Sequence, residues 1–145
     1  MADRHQFASF FVNDLFFGIE VEMVQEVTTE ARMTPVPLAP AVVRGLINLR
    51  GQIVPAIDLR RCLQLPECSS NGPPVNLILY TGDSCTSLLV DAVGEVLEVD
   101  QDTFEPPPVT LRGRPRELIR GAYKLPDKLM HILDLNEVLR NKRNS

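Results

Sequence analysis

The sequence is poor in the residues on which most metal and covalent-catalytic sites depend. It contains three cysteines (Cys62, Cys68 and Cys85) and two histidines in 145 residues. The cysteines are odd in number and form no CxxC pair, so the sequence indicates neither a disulfide framework nor a zinc site. No GxGxxG or GxxxxGK phosphate-binding loop occurs, and the carboxylates do not cluster. We therefore expect no catalytic residues, no metal and no cofactor, and a reduced, cytoplasmic protein.

Long apolar runs and an excess of positive charge are also lacking. No apolar stretch approaches the ~18 residues that a membrane span requires. The polar start MADRHQ leads directly into a strand pattern, which argues against a signal peptide. The net charge of −4 argues against nucleic acid or an anionic membrane surface as the main partner. A chain of 145 residues can bury one core, so we expect one compact domain or two fused halves.

The few residues with reactive side chains are better explained by structure than by catalysis. His5 falls in an end that we expect to be disordered. His131 falls inside a strand pattern, where a half-buried, hydrogen-bonded histidine is the common case. Cys62 lies on a predicted short helix and fits a small buried hydrophobe. An enzyme would need a pocket in which titratable groups converge, and we expect none.

The chain is organised around residues 43–63, VRGLINLRGQIVPAIDLRRCL. Two apolar runs are joined at Arg50-Gly51, and glycine permits the positive φ angles of a tight turn, so this stretch predicts a β-hairpin. Pro55 cannot donate a ladder hydrogen bond, which places its strand at an edge or at a bulge. Asp58 is a typical N-cap for the short helix that we predict over residues 59–63.

The same unit occurs a second time, over residues 119–139. This segment, IRGAYKLPDKLMHILDLNEVL, aligns with the first copy without a gap. The identical pairs are Arg44 and Arg120, Gly45 and Gly121, Leu49 and Leu125, Asp58 and Asp134, Leu59 and Leu135, and Leu63 and Leu139. A second match lies upstream, where residues 21–27 align with residues 90–96. Two matches in the same order indicate an internal duplication.

Between these units the chain alternates short apolar runs with turn residues. Strands are predicted over residues 7–12, 15–21, 75–80, 86–90 and 93–99. Residues 20–27 fit both a helical and a strand period, and both alternatives stay open. The segment PECSSNGPP, residues 66–74, predicts the linker at which the two halves divide. The overall prediction is all-β, with two small pseudo-symmetric barrels sharing a core, short helices and a C-terminal helix.

The two copies differ most at their turns, which read NLRG over residues 48–51 and KLPD over residues 124–127. A solvated charge at a hairpin tip is the simplest explanation of Arg50 when it is considered alone. The series V-x-M-V-Q-E-V, T-P-V-P-x-A-P and V-x-G-L-I-N-L-R-G-x-I-V-P-x-I-D-L-R, however, resembles the CheW family of chemotaxis coupling proteins. The resemblance runs from about Phe7 to Leu139, nearly the whole chain.

This resemblance implies two five-stranded SH3-like barrels and an adaptor without catalysis. Such an adaptor bridges the cytoplasmic tips of chemoreceptors to the regulatory domain of a CheA-type histidine kinase. The implied location is cytoplasmic, at receptor arrays on the inner face of the membrane, without insertion into it. A paralogue serving another array, for surface motility or second-messenger control, is the open alternative. By resemblance, the partner-binding residues are Val24, Glu26, Gly45, Asn48, Arg50, Gly51, Val75, Val93 and Val96.

Two physical expectations accompany this surface. Val24, Val93 and Val96 are candidates for apolar docking within a polar rim. Glu26 and Arg50 belong to the most specific segments of the resemblance, and we expect them to approach each other and to present a charged contact to a partner. An exposed ion pair of this kind contributes only ~0–1 kcal/mol to stability, so folding alone hardly requires it.

Overall fold

The computed structural model describes residues 4–29, 32–65, 74–82, 84–107 and 113–144. The strands in these ranges are β1 (Arg4–Val12), β2 (Leu15–Glu20), β3 (Val24–Thr28), β4 (Met33–Thr34), β5 (Val43–Leu49), β6 (Gln52–Asp58), β7 (Val75–Tyr80), β8 (Cys85–Val90), β9 (Ala92–Asp100), β10 (Phe104–Glu105), β11 (Ile119–Lys124) and β12 (Leu129–Leu133). The helices are α1 (Leu59–Cys62), α2 (Arg114–Leu118) and α3 (Leu135–Asn144), and 3-10 turns cover Val21–Met23 and Gln101–Thr103. None of the helices in the described ranges has the length and apolar character of a membrane span.

The strands form two six-stranded sheets. Sheet A has the order β10-β11-β12-β2-β1-β9, and sheet B has the order β3-β7-β8-β6-β5-β4. In each sheet, five longer strands are joined at one edge by a strand of two residues, β10 or β4. The expectation of an all-β protein with two sheets and a few short helices is therefore confirmed. Closure of each sheet into a barrel stays a prediction.

Each sheet takes strands from both halves of the sequence. The β1–β2 hairpin joins β11–β12 through parallel pairing of Gly18 with Ile132. The β7–β8 hairpin joins β5–β6 through parallel pairing of Ser87 with Ala56. These two contacts occupy equivalent positions in the duplicated sequence. The first hairpin of each half therefore completes the sheet of the other half.

The duplicated unit has the same local structure in both copies. The N–H of Asp58 donates to the Val42 carbonyl, and that of Asp134 donates to the Leu118 carbonyl, each at 2.8 Å. The side chain of each aspartate also accepts a backbone N–H three residues on, as an N-cap does. A bulge precedes the glycine that the two hairpins share, between Val43 and Gly45 in one and between Ile119 and Gly121 in the other. The predicted hairpin, cap and helix are thus confirmed in both copies.

The glycine shared by the two copies permits a close approach of backbones. A Cβ on Gly45 would lie 2.7 Å from the Thr34 carbonyl oxygen of β4. A Cβ on Gly121 would lie 2.5 Å from the Glu105 carbonyl oxygen of β10. A larger residue at either position would therefore displace the short edge strand beside it.

Three apolar clusters hold the sheets together. The central cluster contains residues of both sheets, including Phe10 and Phe17 from sheet A and Leu77 and Leu88 from sheet B. A second cluster draws only on sheet A and its hairpin tip, and a third only on sheet B. Each sheet thus has its own small core while the central cluster joins the two, which agrees with the predicted shared core.

Several local expectations need correction. Of the two alternatives for Pro55, the edge strand is wrong, because β6 is an interior strand of sheet B. Pairing with β8 begins only at Ala56, so the proline loses no ladder bond on that side, and the bulge of the hairpin lies next to it, opposite Ala56 and Ile57. His5 does not lie in a disordered end; it belongs to β1 and pairs with Val99. Residues 20–27 are neither a full helix nor a full strand, since a 3-10 turn leads into β3. The predicted linker, residues 66–74, lies outside the described residues except for Pro74.

Candidate partner-binding surface

The tip of the β5–β6 hairpin is a two-residue turn in which both residues have positive φ. Arg50 has a φ of 54° and Gly51 a φ of 87°, the combination that suits the right-handed twist of a tight hairpin. The Asn48 side-chain oxygen accepts the Gly51 N–H at 2.8 Å, which holds the turn from the preceding strand. This geometry explains why Asn48 and Gly51 accompany Arg50, whose side chain the turn projects outward.

Arg50 forms a bidentate ion pair with Glu26. Its Nη1 and Nη2 atoms donate to the two Glu26 carboxylate oxygens at 2.8 and 2.9 Å. Glu26 belongs to β3, an edge strand of sheet B, whereas the β5–β6 hairpin lies near the opposite edge. The Arg50 side chain is 72% exposed and that of Glu26 is 22% exposed. The structure therefore brings these two residues together, as predicted, and leaves most of the Arg50 side chain exposed to solvent.

Val24 and Val75 are less accessible than a docking surface requires. Both are half-buried and pack against the central cluster. Val24 pairs with Leu79, so its side chain contributes to the junction of the sheets as well as to the surface. Val27, on the same strand, is 45% exposed and was not predicted. The spacing of Val21, Val24 and Val27 in the sequence does not by itself indicate which of them faces solvent.

Val93 and Val96 lie on the other sheet. They belong to β9, which forms an edge of sheet A, and they are 38% and 54% exposed. A bulge between them leaves two residues of β9 opposite Ser9 of β1. Their exposure suits apolar docking, whereas the Glu26–Arg50 pair lies on sheet B.

Gly45 is buried rather than part of the solvent-facing surface. Its position is set by the close approach of β4 described above, with the Thr34 backbone and the Met33 side chain in the space that a Cβ would need. Any effect of Gly45 on a partner would therefore act through β4. The remaining predicted residues, Asn48, Arg50 and Gly51, are the ones that lie together at the hairpin tip.

A polar cluster that the sequence did not indicate joins the two halves. Arg60 of α1 is only 9% exposed and donates to the Asn13 side-chain oxygen and to the Asp91 carboxylate. The Asn13 N–H donates to the same carboxylate at 2.7 Å. Arg60 is thus held between the β1–β2 turn and the β8–β9 corner. The three residues are far apart in the sequence, so no local pattern predicts the cluster.

Contrary to expectation, titratable side chains do converge in one cavity of about 520 Å³, whose lining includes His5, Glu20, Glu22, Arg120 and Tyr123. No group of three or more His, Cys, Asp or Glu residues that could hold a metal is found among the described residues. His131 is half-buried, and its Nδ1 lies 3.1 Å from the Phe16 carbonyl oxygen. The buried Cys85 thiol donates to the Gln25 side-chain oxygen at 3.2 Å. Burial, assisted by Glu20 and opposed by Arg120, raises the pKa of the Tyr123 hydroxyl above its ordinary value of 10.0.

Comparison with known proteins gives a consistent result. A family model described as CheW-like domain matches residues 6–143. The chemotaxis protein CheW of Treponema pallidum (strain Nichols) is 28% identical over 144 residues, covering 97% of this chain and 85% of that protein. The chemotaxis protein CheW of Bacillus subtilis (strain 168) is 31% identical over 130 residues, covering 90% and 83%. The crystal structure of the scaffolding protein TtCheW from Thermoanaerobacter tengcongensis matches with a TM-score of 0.81 and 28% identity, covering 92% of this chain and 90% of that one.

The family model spans both duplicated units, the hairpin tip that carries Arg50 and nearly all of the two sheets. The resemblance inferred from the sequence motifs is therefore confirmed, and the chain belongs to the CheW-like domain family.

Proposed function

We propose that the chain is a non-enzymatic adaptor that couples the cytoplasmic tips of chemoreceptors to a CheA-type histidine kinase. The observation that carries this proposal is the family match over residues 6–143, which leaves no second module to supply an activity within the matched length. The name of the matched structure describes a scaffolding protein, and those of the relatives describe chemotaxis proteins. The chain acts in the cytoplasm, at receptor arrays on the inner face of the membrane. We treat residues 1–145 as one domain of two intertwined halves dividing near residues 66–74.

The geometry supports a contact centred on the Glu26–Arg50 pair. Glu26 accepts two of the five N–H donors of the Arg50 guanidinium, and the Arg50 side chain is 72% exposed, so donors remain for carboxylates or backbone carbonyls of a partner. Val27, on the same strand as Glu26, is 45% exposed, and an exposed apolar side chain beside such a charge is typical of an interface. The partner-binding set that we propose is Val24, Glu26, Gly45, Asn48, Arg50, Gly51, Val75, Val93 and Val96.

Within this set the roles differ. Arg50 and Glu26 supply the polar contact, and Asn48 and Gly51 hold the turn that presents Arg50. Val93 and Val96 supply apolar surface on sheet A. Val24 and Val75 pack at the junction of the sheets, and the missing side chain of Gly45 lets β4 approach its strand closely.

Affinity purification from an extract of the source cell tests the proposal. The tagged chain should retain both a chemoreceptor and a histidine kinase, identified by mass spectrometry, and the Arg50→Glu variant should retain at least one of them poorly. The matched control is Arg140→Glu, which breaks another exposed ion pair, that with Glu137 on α3. Recovery of neither partner by the wild-type chain contradicts the proposal. If the recovered receptor and kinase control surface motility or a second messenger instead of swimming, the paralogue alternative is correct.

A further inference from the structure

Sheet A carries an apolar groove that the proposed function does not use. The groove has a volume of about 410 Å³ and is lined by apolar side chains of β1, β2, β9 and the β11–β12 turn. These side chains are Phe11, Phe16, Leu97, Leu125 and Pro126. The cluster beneath them is the small core of sheet A, on which Phe11, Leu97 and Leu125 pack as partly buried members. The groove is therefore an opening at the rim of that core.

The groove faces away from the residues proposed above. Side chains alternate between the two faces of a strand, so Leu97 of β9 points to the opposite face from its neighbour Val96. Leu97 packs on the core of sheet A, whereas Val96 is 54% exposed. The Glu26–Arg50 pair belongs to sheet B, and none of its strands lines the groove.

A cation already occupies one end of the groove. Phe11 and Phe16 lie opposite each other on β1 and β2, with ring centroids 4.8 Å apart. The Lys128 Nζ lies 4.2 Å from the Phe16 ring centroid and 5.6 Å from that of Phe11, within the range of cation–π attraction. Lys128 is the last residue of the β11–β12 turn and is exposed, so its ammonium covers the rings from the solvent side.

The charge around the groove is predominantly negative. Its lining includes the carboxylates of Glu95, Glu98 and Asp127 against the single ammonium of Lys128. An aromatic cation seat beside three carboxylates favours a basic ligand, and the apolar floor favours a hydrophobic side chain next to the basic one. A volume of about 410 Å³ accommodates one or two side chains rather than a folded surface.

We propose that this groove binds a segment of a partner protein in which an apolar side chain is flanked by lysine or arginine. The apolar side chain lies against Phe11, Leu97 and Leu125. The flanking cation displaces Lys128 from the Phe16 ring and meets the carboxylates of the rim. This site is independent of the receptor and kinase contacts, so it stands even if the proposed function fails.

The test uses the full 145-residue protein and blocked five-residue peptides, followed by amide chemical shifts in NMR titrations. The probe has the sequence Gly-Lys-Leu-Lys-Gly, and the two control peptides replace both lysines by glutamate or the leucine by serine. The probe should shift the amides of residues 94–98, Leu125, Asp127 and Lys128, more weakly at high salt because screening reduces charge attraction. The two control peptides should bind about tenfold more weakly or not at all.

Two variants locate the contact within the groove. Leu125→Ser should weaken binding of the probe about fivefold to tenfold, whereas Ile53→Ser, at a 59% exposed isoleucine on sheet B, should leave it unchanged. Lys128→Gln should strengthen binding severalfold, since it removes both the resident cation and a like charge.

Four outcomes would overturn the proposal. Equal binding of the glutamate peptide excludes a basic ligand, and equal binding of the serine peptide excludes an apolar anchor. Shifts in the groove that appear on raising the protein concentration alone assign it to a second copy of the chain. Weaker binding by Lys128→Gln shows that Lys128 contacts the ligand itself, which contradicts the displacement that we propose.

Discussion

Replacing Arg50 by glutamate separates the stability of the domain from its proposed binding role. The Arg50–Glu26 pair is bidentate, but the Arg50 side chain is 72% exposed, so its contribution to stability is that of a surface pair, ~0–1 kcal/mol. The substitution also brings two carboxylates together, which costs about 1 kcal/mol at 4 Å in water. The total, roughly 1–2 kcal/mol, lowers the melting temperature of a chain of this size by several degrees at most. The positive φ of Arg50 is no less favourable for glutamate than for arginine.

The effect on a desolvated interface should be much larger. Losing a buried, hydrogen-bonded charge at an interface costs ~2–5 kcal/mol of binding, which is a loss of affinity of roughly thirtyfold or more. Arg50→Glu should therefore abolish kinase activation in an array reconstituted from receptor, kinase and adaptor. Arg50→Lys keeps the charge but loses the planar fork, so it should give an intermediate activity.

Two assays on the same preparations decide the question: urea unfolding of the isolated chain and autophosphorylation of the kinase in the array. Arg140→Glu serves as the control, because Arg140 also pairs with a glutamate and is 65% exposed. The double reversal Glu26→Arg with Arg50→Glu should restore stability but not kinase activation. Full recovery of activation by the double reversal would show that only the ion pair between the two residues matters, and that Arg50 does not contact a partner directly. Unfolding of Arg50→Glu would refute the estimate of stability.

Three further predictions concern the architecture and need only the isolated chain. Gly45→Ala and Gly121→Ala should each lower the free energy of unfolding by roughly 1–3 kcal/mol in urea titrations, because the added Cβ would meet the backbone of the short edge strand beside it. Variants as stable as the wild type would contradict this close approach. Asp91→Ala should cost about 1–3 kcal/mol by the same measurement, since it removes a charged acceptor of the buried Arg60, and an unchanged midpoint would argue against the observed cluster. The free energy of unfolding should decline as the pH rises above about 10. Burial raises the pKa of Tyr123, so the folded state keeps a proton that the unfolded state releases. Tyr123→Phe should flatten this decline, and an identical alkaline profile in the variant would argue against a role of Tyr123.

The duplicated unit was predictable because its signals are local. Arg50-Gly51 indicates a tight turn, Asp58 and Asp134 indicate helix starts, and each feature has the predicted structure. Gly45 was assigned to a partner surface by resemblance, although its repetition as Gly121 also fits the backbone packing that the structure reveals. A repeated glycine can thus reflect the fold as readily as a function.

The exchange of hairpins between the two halves was not predictable from the sequence. Period-2 alternation tells which face of a strand is buried but not which strand lies beside it. The parallel pairings of β2 with β12 and of β6 with β8 join segments that are far apart in the chain. The same limit explains why an edge strand and a bulge were both open for Pro55, since only the neighbour β8 shows that its strand is interior.

For the candidate surface, the residues could be predicted from the sequence, but the exposure of their side chains could not. Glu26 and Arg50 were expected to meet because both belong to family motifs, and they do. Val24 was expected to be available for docking, yet it packs on the central cluster while Val27 is exposed. A valine that points toward a shared core and one that points toward solvent follow the same local spacing, so only the packing of the two sheets distinguishes them.

The hairpin tips are where the two copies of the fold diverge, and both tips carry surface features. Leu49 and Leu125 are equivalent residues, and each packs on the small core of its own sheet. Beyond them, the first tip presents Arg50 above Glu26, while the second places Lys128 above Phe16. The contacts that we propose therefore place a carboxylate or carbonyl ligand at the first tip and a basic ligand near the second. A duplicated scaffold can therefore keep one set of backbone contacts, bulges and caps while its two turns recognise different partners.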